Sequence, residues 1–242
     1  MKFLITEPEF YMYQKYCSKN IFKEYSFSTQ SELDNHLKNN IYDGIFTRLG
    51  LVLNKSNLIS QSCLKFIASP TTGLNHIDDD FCLKNSISLL SLRNETDFLK
   101  SITSTAEHAW MLMLMCGRSS NQMFQKTSNY KWDRNGLDIM QFKDKVVGII
   151  GLGRLGKILE EYSNSFGMQV IYNDINKNQF PKYSSSISHS LEELLKKSDV
   201  IFLSASYAEN KGKYILGSEQ IKKIKKSSIF INISRGELVD NQ

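Results

Sequence analysis

The run Gly151-Leu152-Gly153-Arg154-Leu155-Gly156 sets three glycines at G-x-G-x-x-G spacing, directly after the apolar stretch Val146-Val147-Gly148-Ile149-Ile150. Each glycine has a separate use if an anionic dinucleotide is to be held there. The first permits a tight turn, the second lets main chain approach a pyrophosphate without a Cβ, and the third lets helix and strand pack closely. Leu155, Ile158, Leu159 and Tyr162 follow at amphipathic helical spacing until Gly167 ends the pattern. The candidate cofactor contacts are therefore Gly151, Gly153, Arg154, Leu155 and Gly156. A second apolar run, Val170-Ile171-Tyr172-Asn173, ends at Asp174, eighteen positions beyond Gly156. A carboxylate there can accept both ribose hydroxyls of NAD and would repel the 2′-phosphate of NADP. Two readings compete: Asp174 as a turn residue at a strand end, and a methyltransferase-like loop for S-adenosylmethionine.

Arg235 follows the apolar run Ile231-Asn232-Ile233. A guanidinium at the carboxyl end of a buried strand can hold a carboxylate and polarise an adjacent carbonyl through parallel hydrogen bonds. For an isolated arginine, a surface ion pair would be the simpler account. The other chemistry-bearing groups read as structural. Asp78-Asp79-Asp80 lacks the alternating spacing of a cation loop and suits a helix start, so no metal site is expected. His36, His76, His108 and His189 each fit a helix or loop context. The four cysteines (Cys17, Cys63, Cys82, Cys116) are far apart, as in a reduced, cytoplasmic chain.

The elements that must position these groups alternate apolar runs with helical segments. Strands are expected at 2–6, 21–27, 43–47, 64–68 and 86–90, then 145–150, 169–173, 200–204 and 228–233; helices at 9–18, 31–38, 56–60, 78–83, 154–165, 191–197 and 218–225. Ser104-x-x-Glu107 reads as a capping box opening a helix apolar on every face through Ala109-Trp110-Met111-Leu112-Met113-Leu114-Met115-Cys116, which requires cover from core or from a partner subunit. The run Ile221-Lys222-Lys223-Ile224-Lys225-Lys226 reads as a helix with a solvated lysine face. With 41% hydrophobic residues, 23% charged and a net charge of +5, the 242-residue chain can bury a core and gives little reason to expect nucleic acid. The triplet at Asn232 is one of three N-x-S/T matches read as chance.

The segment Ile231-Asn232-Ile233-Ser234-Arg235-Gly236-Glu237-Leu238-Val239-Asp240 resembles the signature of the D-isomer-specific 2-hydroxyacid dehydrogenases, whose best-known member is phosphoglycerate dehydrogenase. Thr71-Thr72-Gly73-Leu74-Asn75-His76-Ile77-Asp78 resembles that family's substrate loop, Thr105-Ala106-Glu107-His108 the start of its interdomain helix, and Trp132 with Gly136 the approach to its dinucleotide-binding strand. The resemblance implies an α/β chain of two Rossmann-like/flavodoxin-like parallel-sheet domains: residues 1–103 a flavodoxin-like substrate-binding domain, and 104–242 a Rossmann NAD-binding domain whose sheet is incomplete. It also implies an NAD-dependent oxidoreductase acting on the CH–OH group of a small 2-hydroxy acid, as a homodimer. Arg235 is then the catalytic guanidinium, Thr72, Gly73 and Arg235 bind substrate, and Thr72, Ser204, Ala205, Ile233 and Arg235 join the cofactor contacts. Two departures stand out. Ser204-Ala205-Ser206-Tyr207 lacks the family's His-x-Pro, and the loop 93–103, with Phe98-Leu99 placed to cover the site, is long. Gln242 falls seven residues after Arg235, before the position of the family's Glu and His, so little turnover is expected of this chain. The alternative from another class is a non-catalytic NAD-binding or dimerisation module.

Overall fold

The computed structural model describes residues 1–6, 22–133, 135–176, 178–207 and 214–241; the helix expected at 9–18 lies outside them. The chain divides into two compact units, Met1–Leu99 and Lys100–Gln242.

In the first unit the strands are β1 (Phe3–Ile5), β2 (Phe22–Glu24), β3 (Gly44–Phe46), β4 (Phe66–Ser69) and β5 (Ser88–Ser91). All pair parallel in the order β2-β1-β3-β4-β5, the flavodoxin-like arrangement. Between them run α1 (Gln30–Asn39), α2 (Lys55–Leu58) and α3 (Asp79–Lys84), and α4 (Thr96–Lys100) follows β5. Local chemistry fixes their starts. Thr29 and Glu32 form a capping box on α1, and Asp78 caps α3 by accepting from the Phe81 N–H, the helix-start role expected of the acidic triplet. The core gathers Leu4, Ile45, Ile67, Leu33 and Leu37 around the sheet.

The second unit carries α5 (Ser104–Gly117), α6 (Ser120–Ser128), β6 (Val146–Ile150), α7 (Arg154–Ser165), β7 (Gln169–Asn173), β8 (Ile187–Ser188), α8 (Leu191–Lys197), β9 (Val200–Leu203), α9 (Ser218–Ile221) and β10 (Ile229–Asn232). Its sheet is also all parallel, ordered β10-β9-β6-β7-β8. In chain order that is 3-2-1-4-5 read from the other edge, so the strand order reverses beside β6, the switch point where ligands of such sheets bind. Both faces of β6 and β9 are covered, which explains their near-continuous apolar sequences. The Gly167 expectation has a concrete form. Gly167 has φ +69°, its N–H reaches Asn164 O at 3.0 Å, and the Met168 N–H reaches Ser163 O at 3.0 Å. That is a Schellman ending of α7.

Several expectations need correction. Thr103, not Ser104, is the residue before the first turn of α5, and its hydroxyl donates to Glu107 Oε1, so the carboxylate is occupied four residues away and no capping box forms. The basic run is not a helix. Helix α9 stops at Ile221, and the lysines lie in turns, where Lys222, Lys223 and Lys225 reach Glu219, Glu192 and Asp199. The expected loop 93–103 holds α4, which buries Leu99 and leaves Phe98 exposed. The short β8 and helix α6 were not foreseen; two residues are too few to show alternation, and α6 buries no residue that would print a stripe.

Asp199 ties the amino ends of three strands together. Its carboxylate accepts from the Val146 N–H at 2.9 Å and from Lys225 Nζ at 3.0 Å, while its own N–H and C=O bond to Val146 O and the Ile229 N–H. Burial opposes the charge, but the Val146 amide and the Lys225 ammonium hold the carboxyl below the ordinary range. A depressed folded pKa means the contribution is complete above the unfolded value of about 4 and is lost as pH falls through the folded value. Melting temperatures measured from about pH 6 down to about pH 2.5 are expected to fall more steeply for the wild type than for Asp199→Asn. Parallel curves would remove this role.

Candidate functional site

The carboxyl ends of β6, β7, β9 and β10 share one edge of the second sheet, and hydrogen bonds join the groups there in a chain. Gly151 leaves β6 with φ +92°, and its N–H bonds to Asn173 O on β7 at 2.8 Å. The Asp174 carboxylate reaches into the same turn, Oδ2 accepting the Leu152 N–H at 2.6 Å and Oδ1 the Asn176 N–H at 2.8 Å. Asp174 is thus a turn residue as well as a candidate ribose acceptor. The two roles coexist because each carboxylate oxygen has two lone pairs. On the other side, Ser204 Oγ donates to Gly151 O at 2.7 Å, and the Ser204 N–H reaches Ile150 O at 2.9 Å. Next, Ser234 Oγ donates to Ala205 O, and Arg235 follows.

The glycines differ in what confines them. A Cβ on Gly151 would lie 2.5 Å from Ala205 Cα, and one on Gly156 would lie 2.3 Å from Gly151 O, both main-chain atoms. A Cβ on Gly153 would meet nothing within 4 Å. Two glycines are therefore demanded by the fold, while the third borders open space at the start of α7. There the first-turn N–H groups of the helix lack intrahelical partners. This arrangement fits a pyrophosphate: a turn held rigid from both sides, a helix N-terminus, and room for the anion where Gly153 has no side chain. The Arg154 side chain turns elsewhere, Nη1 donating to Ile102 O at 2.6 Å, and burial lowers its pKa.

Arg235 is half-buried in extended conformation, with Nη1 donating to Ser234 O at 2.9 Å. Asn232 sets its approach: Oδ1 accepts the Ser234 N–H and Nδ2 donates to Arg235 O, each at 2.9 Å. The triplet at Asn232, read as chance, is thus a side-chain staple on the turn that delivers the arginine. Asn232, Ser234 and the Ser204 hydroxyl were missed as positioning groups. The signal available was a short polar side chain at a strand end, the usual seed of an Asx turn.

Thr72 and Gly73 lie in the first unit, on the loop leaving β4. Ser69 Oγ contacts Thr71 Oγ1 at 2.9 Å and His76 Nε2 at 3.2 Å, and Thr71 Oγ1 donates to Gly73 O at 2.9 Å. His76 is therefore built into the loop's frame. His36 Nε2 pairs with Tyr42 Oη at 2.6 Å, His189 Nδ1 lies 3.6 Å from Glu193, and His108 sits on the exposed face of α5.

Residues 110–242 match the family model described as D-isomer specific 2-hydroxyacid dehydrogenase, NAD binding domain. The chain belongs to this family. Among its relatives, a glyoxylate reductase of Thermococcus kodakarensis is 26% identical over 211 residues, covering 83% of this chain and 61% of that protein. A D-3-phosphoglycerate dehydrogenase of Methanocaldococcus jannaschii is 28% identical over 216 residues, covering 88% of this chain and 40% of that protein. The chain thus spans less than two thirds of the length of either relative. Of solved structures, a D-lactate dehydrogenase from Aquifex aeolicus, complexed with NAD and lactic acid, superposes with a TM-score of 0.80 at 26% identity, over 99% of this chain and 71% of that one.

Proposed function

We propose that this chain carries the cofactor- and acid-binding parts of an NAD-dependent 2-hydroxyacid dehydrogenase, with residues 1–103 as the substrate-binding domain and 104–242 as the NAD-binding domain. One observation carries the reading: the Asp174 carboxylate bonded into the glycine turn, on the same sheet edge as Arg235 with β6 and β9 between their strands. Bound NAD would supply the hydride-accepting nicotinamide. The Gly151–Gly156 turn and the Arg154 and Leu155 N–H groups would hold the pyrophosphate, and Asp174 the ribose hydroxyls. Ser204, Ala205 and Ile233 would border the cofactor as their strands end, and Thr72 keeps the cofactor contact that the resemblance implies. Arg235 would orient the acid through its carboxylate and stabilise charge developing on the C2 oxygen. Thr72 and Gly73 keep the role the resemblance implies, main-chain donors to a carboxylate.

Proton transfer at that oxygen is the step for which we assign no histidine among the described residues. His36, His76 and His189 are engaged with Tyr42, Ser69 and Glu193, and His108 lies on the solvent side of α5. Without such help, turnover is expected to be lower by about 10²–10⁴-fold. Titration with NADH and with NADPH, followed by mixing with 2-oxo acids while NADH absorbance is recorded, tests this. Binding of NADH, weaker binding of NADPH, a narrowed gap between them in Asp174→Ala, and little oxidation are expected. Rapid oxidation would overturn the proton-transfer argument, and failure to bind NADH would overturn the whole reading.

The partner in this reading is a second copy of the chain. Met111 and Met115 stand exposed on α5 beside a cavity of about 470 Å³ lined by Trp110, Tyr162 and Phe166. Glu107 and Arg118 mark its ends, so a two-fold copy of α5 running antiparallel would set each against the other. The same surface would serve the non-catalytic dimerisation module. Sedimentation is expected to give a dimer for the wild type and a monomer for Met111→Glu with Met115→Glu; a monomeric wild type would end the idea. Among the described residues no helix is long and apolar enough to cross a membrane; a cytoplasmic location is part of the same reading.

A further inference from the structure

Glu160 is fully buried on α7, a position where an apolar side chain would pack at less electrostatic cost. Its carboxylate is instead matched by three donors from one distant segment. Oε2 accepts the Lys182 N–H at 2.9 Å; Oε1 accepts the Tyr183 N–H at 3.0 Å and the Ser186 hydroxyl at 2.6 Å. The next residue, Glu161, takes Lys182 Nζ at 2.7 Å. This segment descends from Asp174 and leads into β8, whose residues Ile187 and Ser188 pair with Ile171 and Tyr172 of β7. One helix therefore offers its N-terminus beside the glycine turn and, two turns on, grips the chain that continues from the ribose carboxylate.

We propose that Glu160 is a positioning residue for the adenosine end of the dinucleotide, fixing the chain after Asp174 and thereby the preference for a cofactor without a 2′-phosphate. The inference rests on the NAD reading of the Asp174 site. Two effects follow from the clamp. It keeps the turn at Asp174–Asn176 in register with the glycine loop, which holds the carboxylate where ribose hydroxyls can reach it. It also keeps Lys182 against Glu161, so its ammonium is not offered to an additional phosphate. A buried carboxylate suits this task because both oxygens only accept, and three donors approach them. Glutamine at this position would turn an N–H₂ toward one of those donors and leave it unsatisfied.

The test compares wild type, Glu160→Gln and the milder Ser186→Ala in two measurements. Trypsin cleavage after Lys182, without ligand, reports the clamp itself and is expected to accelerate in both variants. Calorimetric titration with NADH and NADPH reports the site. NADH affinity is expected to fall about tenfold in Glu160→Gln, the scale of one lost buried hydrogen bond, with NADPH affinity falling less, so that the preference narrows. Ser186→Ala should repeat the pattern at smaller amplitude, and carries the test alone if Glu160→Gln does not fold. Unchanged cleavage, or equal proportional losses for both dinucleotides, would overturn the positioning role. Faster cleavage in variants of a wild type that binds neither dinucleotide would instead overturn the NAD reading, and the cofactor role of Glu160 with it.

Discussion

Gly151→Ala is expected to lower NADH affinity by at least about a hundredfold and to destabilise the second unit, whereas Gly153→Ala should weaken NADH with the melting temperature nearly unchanged. The difference follows from what surrounds each Cα. Gly151 has φ +92°, where an L side chain is strained, and its new methyl would lie 2.5–2.6 Å from the Cα and N of Ala205. Those atoms belong to main chain just past β9 and cannot swing aside as a side-chain tip would. Relief requires parting the ends of β6 and β9, which breaks the Ser204 bonds to Ile150 and Gly151. Left-handed strain and overpacking together amount to about 2–4 kcal/mol. A variant that relaxes by opening the turn must close it again to bind, so much of that energy is lost from affinity. Gly153 faces open space, so its methyl disturbs no protein atom and obstructs only a ligand. Fluorescence titration with NADH beside thermal unfolding separates the two cases. Full NADH affinity in Gly153→Ala would show that the loop does not cradle an anion.

Arg235→Ala is expected to abolish recognition of the acid, by about 10²–10³-fold, while lowering NADH affinity by a clearly smaller factor, since the cofactor keeps its contacts at the glycine turn and Asp174. The guanidinium has five N–H donors, and one is engaged with Ser234 O. A planar fork reaching past that contact can grip a carboxylate through two bonds at once, which an ammonium cannot, so Arg235→Lys should recover only part of the loss. Quenching of bound NADH fluorescence by oxamate, a 2-oxo acid isostere, measures acid binding without requiring turnover. Asn232→Ala provides an internal comparison. Removing the staple at Ser234 and Arg235 should weaken oxamate less than loss of the guanidinium does, because the charge stays and only its aim suffers. Equal oxamate binding by wild type and Arg235→Ala would remove the arginine from the acid site.

How much of this was legible depended on whether a signal was local. The span of α7, its Schellman end and strand β7 could be read directly, since helical spacing, a terminal glycine and a short apolar run are written in consecutive residues. The glycine turn and Asp174 stand out by spacing as site candidates, and Arg235 by its strand and by resemblance. What failed involved competition between partners. The Thr103 hydroxyl captured the Glu107 carboxylate that the capping box required, and acidic partners on α8 and ahead of β9 drew lysines into turns after Ile221. Helix α6 buries nothing, so it left no stripe to read.

From its sequence alone this chain declared two parallel α/β arrays, a glycine turn at one strand end, a carboxylate at the next and an arginine at a third, because each rests on neighbours a few residues apart. Only tertiary structure could decide that Gly151 is confined by Ala205 and Gly153 by nothing, that Asp174 bonds into the glycine turn, and that Glu160 grips residues 182–186. Those contacts join residues more than twenty to fifty positions apart, and strand order in a parallel sheet, fixed by packing on both faces, determines which distant residues meet.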